Sequence, residues 1–213
     1  MPSSLAARQL PRSINREAVV ATLVAAFAKD QAVRTLYPTE AEYRRHFPGF
    51  VMAFGGRAFD HGVVDEDYFL RAAALWFPPG IEPDGEAVLA HLEATMPPER
   101  LARLGTGMDI RNAMHPRQPH WYLPWMGLRP DAQGKGVGSA VLATGLARVD
   151  ADGLPAYLEA TNWRNAGSAT ITMSAISPRF NRLGIEMSPV PMEVVTVTTF
   201  FFVSSSSRGT SAR

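Results

Sequence analysis

One stretch narrows the folds open to this chain more than any other: Gly127-Leu128-Arg129-Pro130-Asp131-Ala132-Gln133-Gly134-Lys135-Gly136-Val137-Gly138-Ser139. An apolar, aromatic run from His120 to Leu128 leads into it, and an alanine- and leucine-rich run from Ser139 leads out. The pattern reads as strand, glycine loop, helix. Glycine lacks a Cβ, so the backbone can turn tightly and come close to a ligand. A helix that starts straight out of such a loop aims its free N–H groups and the positive end of its dipole at whatever sits there. The expected guest is a phosphate or pyrophosphate.

Two nucleotide-binding patterns fail on this text. A P-loop needs a glycine where Arg129 stands, and Ser or Thr where Gly136 stands. The dinucleotide fingerprint Gly-x-Gly-x-x-Gly meets Ser139 or Val141 at its third glycine. A third pattern, Gln/Arg-x-x-Gly-x-Gly/Ala, is satisfied in full by Gln133-Gly134-Lys135-Gly136-Val137-Gly138.

The rest of the composition excludes several classes. The 213 residues suit one domain, and a hydrophobic fraction of 46% can build a core. Basic and acidic residues number 21 and 20, a balance that gives no electrostatic case for nucleic acid or a membrane surface. The absence of cysteine removes disulfides, thiolate metal sites and a cysteine nucleophile. No run is long enough for a transmembrane helix, and the start lacks an apolar signal segment. The expected location is the cytoplasm.

Residues 1–12 read as a loose leader, 13–203 as a single domain and 204–213 as a disordered polar tail. A helix begins near Ser13, with Asn15 as an alternative cap, and carries Val19, Val20, Leu23, Val24 and Phe27 at helical spacing. Asp30 to Pro38 reads as a turn with a short apolar piece. Thr39-Glu40-Ala41-Glu42 opens a second helix, which Pro48 kinks or restarts and Gly55-Gly56 ends. Gly62 to Asp65 and Phe69 to Trp76 form a hairpin. Residues 84–114 give two helical runs split by Pro97-Pro98. His120 to Leu128 is the central strand, Ser139 to Asp150 a helix, and Ala156 to Ala160 and Glu193 to Val203 further strands. Helices first, then strands and helices mixed, indicate an α/β (α+β) sheet with helical cover.

On these residues the sequence resembles the GCN5-related N-acetyltransferase (GNAT) family. Besides the glycine loop, His120-Trp121-Tyr122-Leu123-Pro124 with Gly127-Leu128-Arg129-Pro130 looks like the family's fourth strand. Leu154 to Asn162 looks like its fifth strand and exit loop. The resemblance implies a mixed, twisted sheet of about six to seven strands flanked by helices on both faces. It implies acetyl-CoA as co-substrate and a splay between the fourth and fifth strands for its pantetheine arm. The cofactor-binding residues it implies are Met126, Gly127, Leu128, Gln133, Gly134, Lys135, Gly136, Val137, Gly138, Ser139 and Asn165.

The implied reaction is direct acetyl transfer to a primary amine of a small molecule or peptide. The amine must be neutral to attack, and an ordinary lysine-type amine titrates near pH 10.4, so a base is useful. The carbonyl oxygen needs a donor, implied to be the backbone N–H near Met126. His120 and Tyr122, two apart on a strand, share one face that can look into the acceptor cleft. An imidazole suits a base, although His120 at a strand edge can equally just bond its loop. Glu159, at the end of the next strand, is a second candidate. Arg129 and Lys135 can meet CoA phosphates or remain solvated. Trp121 and Trp125 are expected to pack the opposite strand face. His46, His61, His91 and His115 show no ligand spacing with acids, so no metal is expected. No nucleic-acid or membrane partner is expected, and the chain is taken as a monomer or homodimer.

Beyond Asn165 the text departs from the family. The tyrosine that commonly protonates the leaving thiolate has no match; the nearest segment, Phe180-Asn181-Arg182-Leu183-Gly184, carries Phe180 in its place. A rearranged C-terminal lobe and a reading-frame change near codon 166 both account for this. Three functional readings follow: N-acetyltransferase, transferase to a hydroxyl, and a CoA-binding protein without catalysis.

Overall fold

The computed structural model describes residues 14–105, 115–160 and 199–202. The leader, the tail, Asn165 and the segment containing Phe180 lie outside these residues, as do 106–114.

Asn15, not Ser13, starts the first helix: its side chain accepts from the Ala18 N–H, and α1 runs Arg16–Phe27. The expected turn after it is instead a short helix, α2 (Gln31–Leu36), because Asp30 caps it by accepting from the Val33 N–H. A full capping box follows, with Thr39 and Glu42 each bonding the other's backbone, and α3 spans Glu40–Gly55. Pro48 neither ends nor restarts this helix; it sits inside. Tyr43, Phe47 and Val51, almost wholly buried on one face, hold the helix across the lost hydrogen bond.

A 3₁₀ turn (Gly56–Phe59) leads to the hairpin β1 (Val63–Glu66) and β2 (Ala72–Phe77). Phe69 to Arg71 belong to its turn, not to the strand. Asp67 ties that turn together, accepting from the N–H groups of Phe69, Arg71 and Ala72 and from Arg71 Nε at 2.8 Å. Burial pushes the Asp67 carboxyl up, and the Arg71 guanidinium with these N–H donors outweighs it, so its pKa lies below the usual value. Helix α4 (Gly85–Thr95) and helix α5 (residues 98–105) follow, split as expected at the Pro97-Pro98 pair, with Pro98 the first residue of α5. Then come β3 (Trp121–Leu128), a 3₁₀ turn (Pro130–Ala132), α6 (Val137–Asp152), β4 (Ala156–Ala160) and β5 (Thr199–Phe202).

The sheet order is β1-β2-β3-β4-β5, so β3 is central. The β3–β4 pair is parallel and the others antiparallel. The sheet is therefore mixed, and its described strands number five, short of the expected six to seven. Helices cover both faces. On one, Val19, Leu23, Phe47, Val51 and Leu92 pack against Ala73, Leu75, Phe77, Tyr122 and Tyr157. On the other, Val141, Leu142, Leu146 and Val149 of α6 pack against Trp76, Trp121, Leu123 and Leu158.

One irregularity re-aims the central strand. Leu75 pairs with Trp125 but Phe77 with Tyr122, so β3 spends one residue more than β2 between those pairs. This is a β-bulge, and Pro124 lies in it. Past the bulge the alternation of faces inverts. Trp121 packs on the α6 face as expected, but Trp125 turns to the other face, where the rings of Phe27, Phe47, Phe50 and Phe54 meet it edge-on.

Candidate active site

The glycine loop has the geometry its sequence demands. Gly134 has φ 74° and Gly136 φ 73°, both left-handed, and a Cβ on either would meet no atom within 4 Å. Their requirement for glycine is thus conformational and outward-facing, not a matter of packing inside the protein. Gly136 is also the N-cap of α6, with no side chain capping it. The helix begins at Val137, two residues earlier than its alanine-rich text suggests, so Val137, Gly138 and Ser139 form its first turn. Their N–H groups have no intrahelical acceptor and point out of the helix start. Gly138 lies against β3: its Cβ position is 3.5 Å from Leu128 Cδ2 and 3.9 Å from Met126 Cε.

The flanking cations turn back onto the loop. Lys135 Nζ donates to the Asp131 carbonyl at 2.8 Å, and Arg129 Nε lies 3.3 Å from Asp131 Oδ1. Gln133, exposed, is the C-cap of the 3₁₀ turn that carries the chain over the end of β3. Gly127 is required for packing: a Cβ there would come within 2.8 Å of Ala26 and 2.9 Å of Leu23, both on α1.

Beside this loop the sheet opens. Among the described residues the β3–β4 ladder holds Trp121↔Ala156, Tyr122↔Tyr157 and Leu123↔Leu158, while β3 continues to Leu128. The bulge decides what faces the opening. Arg129 donates its N–H to the Arg71 carbonyl at 2.8 Å. In an antiparallel ladder every second residue turns its backbone to the partner strand, so Gly127 and Trp125 also face β2. Met126 and Leu128 therefore direct their N–H groups to the side β4 has left.

At the other end of β3 the structure gathers aromatic and titratable groups on the α1/α3 face. Tyr122 and Tyr157 pack with ring centroids 5.5 Å apart. Tyr157 Oη donates to Glu159 Oε1 at 3.0 Å. Glu159 is one residue beyond the last β3–β4 pair, level with the bulge. His120 precedes β3 and is 6% exposed. Its Nδ1 is 2.8 Å from the Gln118 carbonyl and its Nε2 3.2 Å from His115 Nε2. His115 has the acidic neighbour that its spacing did not announce: Glu82 Oε2 lies 3.3 Å from His115 Nε2. Nothing in the sequence signals this approach, because Glu82 follows β2 and reaches His115 only through the β2–β3 pairing.

The glycine loop, the open β3–β4 edge and the helix N-terminus agree with a family-level match. The acetyltransferase (GNAT) family model matches residues 39–170. The chain belongs to this family. Among solved structures it is similar to a protein from Corynebacterium glutamicum described as histone acetyltransferase HPA2 and related acetyltransferase, at 24% identity and TM-score 0.55, over 93% of this chain and 96% of that one. It is also similar to arylalkylamine N-acetyltransferase 2 from Aedes aegypti (10% identity, TM-score 0.53, 90% and 94% covered) and an N-acetyltransferase from Staphylococcus aureus (13%, 0.51, 90% and 98%). These likenesses establish the GNAT fold.

Proposed function

We propose that this GNAT protein transfers the acetyl group of acetyl-CoA directly to a primary amine of a small molecule or peptide. The observation that carries the reading is the pair of left-handed glycines, Gly134 and Gly136, opening onto the uncapped start of α6 beside the end of β3 that has no partner on the β4 side among the described residues. A pyrophosphate suits that cradle, which offers backbone N–H groups, a helix dipole and no Cβ in the way. The residues that would hold it are Gln133 to Ser139, with Met126, Gly127 and Leu128 alongside the pantetheine arm; Asn165 is retained in the set from the family pattern.

Acetyl-CoA supplies an activated thioester. The Met126 N–H, directed into the opening, donates to the acyl oxygen as negative charge builds there. Strand rise sets His120 about 15–20 Å from Met126. Glu159, level with the bulge, is the nearer carboxylate and takes the amine proton, directly or through a water. Tyr122, Tyr157 and His120, buried behind it, back the carboxylate from the core side. Solvent protonates the departing thiolate, which an ordinary thiol pKa of about 8.5 allows.

Calorimetric titration with acetyl-CoA tests the reading first, followed by thiol release across an amine panel. Saturable binding with amine-dependent thiol release is expected. No binding at millimolar acetyl-CoA would defeat it. Binding with no thiol release from any amine would favour the second reading, a CoA-binding protein, which the Phe180 replacement supports. Gly136→Val supplies the residue-level check: acetyl-CoA binding should be lost while the fold is kept, and unchanged affinity would sink the cradle.

A further inference from the structure

We infer that Glu82, His115 and His120 form a binding site for one divalent transition-metal ion, with Zn²⁺ the best fit. One ligand atom from each side chain lies within 4.8 Å of the other two. The two imidazole Nε2 atoms are 3.2 Å apart, and His115 Nε2 is 3.3 Å from Glu82 Oε2. A tetrahedral zinc with ligands at about 2.0–2.1 Å has ligand–ligand edges of about 3.3 Å. Two of the three edges already have about that length.

The protonation pattern points the same way. The Gln118 carbonyl can only accept, so His120 Nδ1 carries the proton in that 2.8 Å bond. In the neutral ring, His120 Nε2 is then a lone pair aimed at His115. Glu82 contributes a second acceptor on the other side of His115 Nε2. A single N–H on that nitrogen can point at only one of the two, and both distances exceed the usual 2.9–3.0 Å. A cation satisfies all three atoms together, and the Nδ1–H bond to a carbonyl is the outer support that metal-bound imidazoles ordinarily have.

The scaffold is largely in place without the ion. His115 and His120 bracket a short loop stiffened by Pro116 and Pro119. The His115 ring is fixed edge-on against Tyr122 and Tyr157, with centroids 5.0 and 4.7 Å away. Arg57 donates to the Glu82 carbonyl at 2.8 Å, holding that segment. His120 is buried, whereas the Glu82 side chain is 53% exposed, so the site has a buried floor and an open entrance. Two imidazoles and one carboxylate suit Zn²⁺ or Co²⁺ and not Mg²⁺ or Ca²⁺, and they leave a fourth position for water. An ion here would tie the turn after β2 to the start of β3.

The test uses the full chain without an affinity tag, stripped with chelator and free of acetyl-CoA, so its outcome does not depend on acetyl transfer. Calorimetry with ZnCl₂ should give one ion per chain, Co²⁺ should produce the visible d–d band of a tetrahedral nitrogen–oxygen site, and the melting temperature should rise with added zinc but not magnesium. His115→Ala and His120→Ala should each weaken zinc binding at least about 100-fold. Glu82→Gln, at an exposed position that the fold tolerates, should weaken it about 10-fold or more, the scale known for metal-site substitutions. Absence of binding up to about 100 µM zinc would overturn the inference. So would one-to-one binding with unchanged affinity in folded Glu82→Gln and His115→Ala proteins, which would place the ion elsewhere.

Discussion

At the scale of single residues, function and stability can be separated. Gly134 and Gly136 occupy left-handed backbone over open space, so their constraint is conformational and not one of packing. A β-branched residue at Gly136, φ 73°, carries strain on the order of 1–3 kcal/mol and places methyl groups where the phosphate would lie. The Gly136→Val protein should keep its circular dichroism spectrum while calorimetry shows acetyl-CoA binding abolished. Glu159 is the contrasting case. It accepts from Tyr157 Oη at 3.0 Å and is the carboxylate proposed to act on the acceptor. Glu159→Gln should lower kcat by roughly 10²- to 10⁴-fold with the acetyl-CoA dissociation constant unchanged. Steady-state kinetics paired with calorimetry separates the two, and an unchanged kcat would remove Glu159 from the chemistry.

Among the elements, α3 and β3 carry the clearest consequences. The capping box of α3 places the Glu42 carboxylate on the Thr39 N–H at 3.0 Å, the Thr39 hydroxyl at 2.8 Å and Arg100 at 3.0 Å. These contacts, the Thr39 backbone first, lower its pKa from 4.5 to about 2. A depressed carboxylate stabilises the folded state above its unfolded pKa. That contribution is lost as pH falls from 4.5 toward about 2. Urea midpoints measured across this range should fall with acidity, and less steeply in Glu42→Gln, which keeps a capping side chain but does not titrate. In β3, the bulge at Pro124 decides which face Trp125 occupies. Deleting Pro124 would remove the extra residue, set Leu123 and Trp125 opposite Trp76 and Leu75 in plain alternation, and keep Trp125 among its phenylalanines. The deletion protein should fold with a cooperative melt, and an insoluble or molten product would show that the bulge itself is required. Pro124→Ala, which keeps the residue count, should fold with a cooperative melt.

Across the whole molecule, the sheet is enclosed by helices that approach unusually closely where side chains are absent. Gly127 admits α1, and Gly145 admits Trp76: a Cβ at Gly145 would stand 2.4 Å from the Trp76 indole. Trp76 is fully buried and has no room to yield. Gly145→Val should therefore cost about 1–3 kcal/mol, read as a lowered melting temperature, and should shift α6 together with the cofactor loop at its head. An unchanged melting temperature would show that α6 docks more loosely than described.

The sequence alone determined the parts governed by local chemistry. Gln133-Gly134-Lys135-Gly136-Val137-Gly138 specified a tight loop because only glycine adopts the dihedrals of Gly134 and Gly136 cheaply. Thr39 to Glu42 specified a helix start because the cap is closed within four residues. The apolar runs placed β2, β3 and β4. What sequence periodicity missed depended on register or on distant approach. Asp30 converts an apparent turn into α2 through one cap bond. The bulge at Pro124 reverses the faces of β3, sends Trp125 to the α1/α3 side and turns the Met126 N–H toward the opening. No local pattern records that reversal, because it arises from a mismatch of one residue between two strands. The meeting of Glu82 with His115 and His120 is likewise a product of strand pairing. The glycine stretch thus pointed to the family from its own residues, while the tertiary fold alone decided which backbone groups and side chains stand beside it.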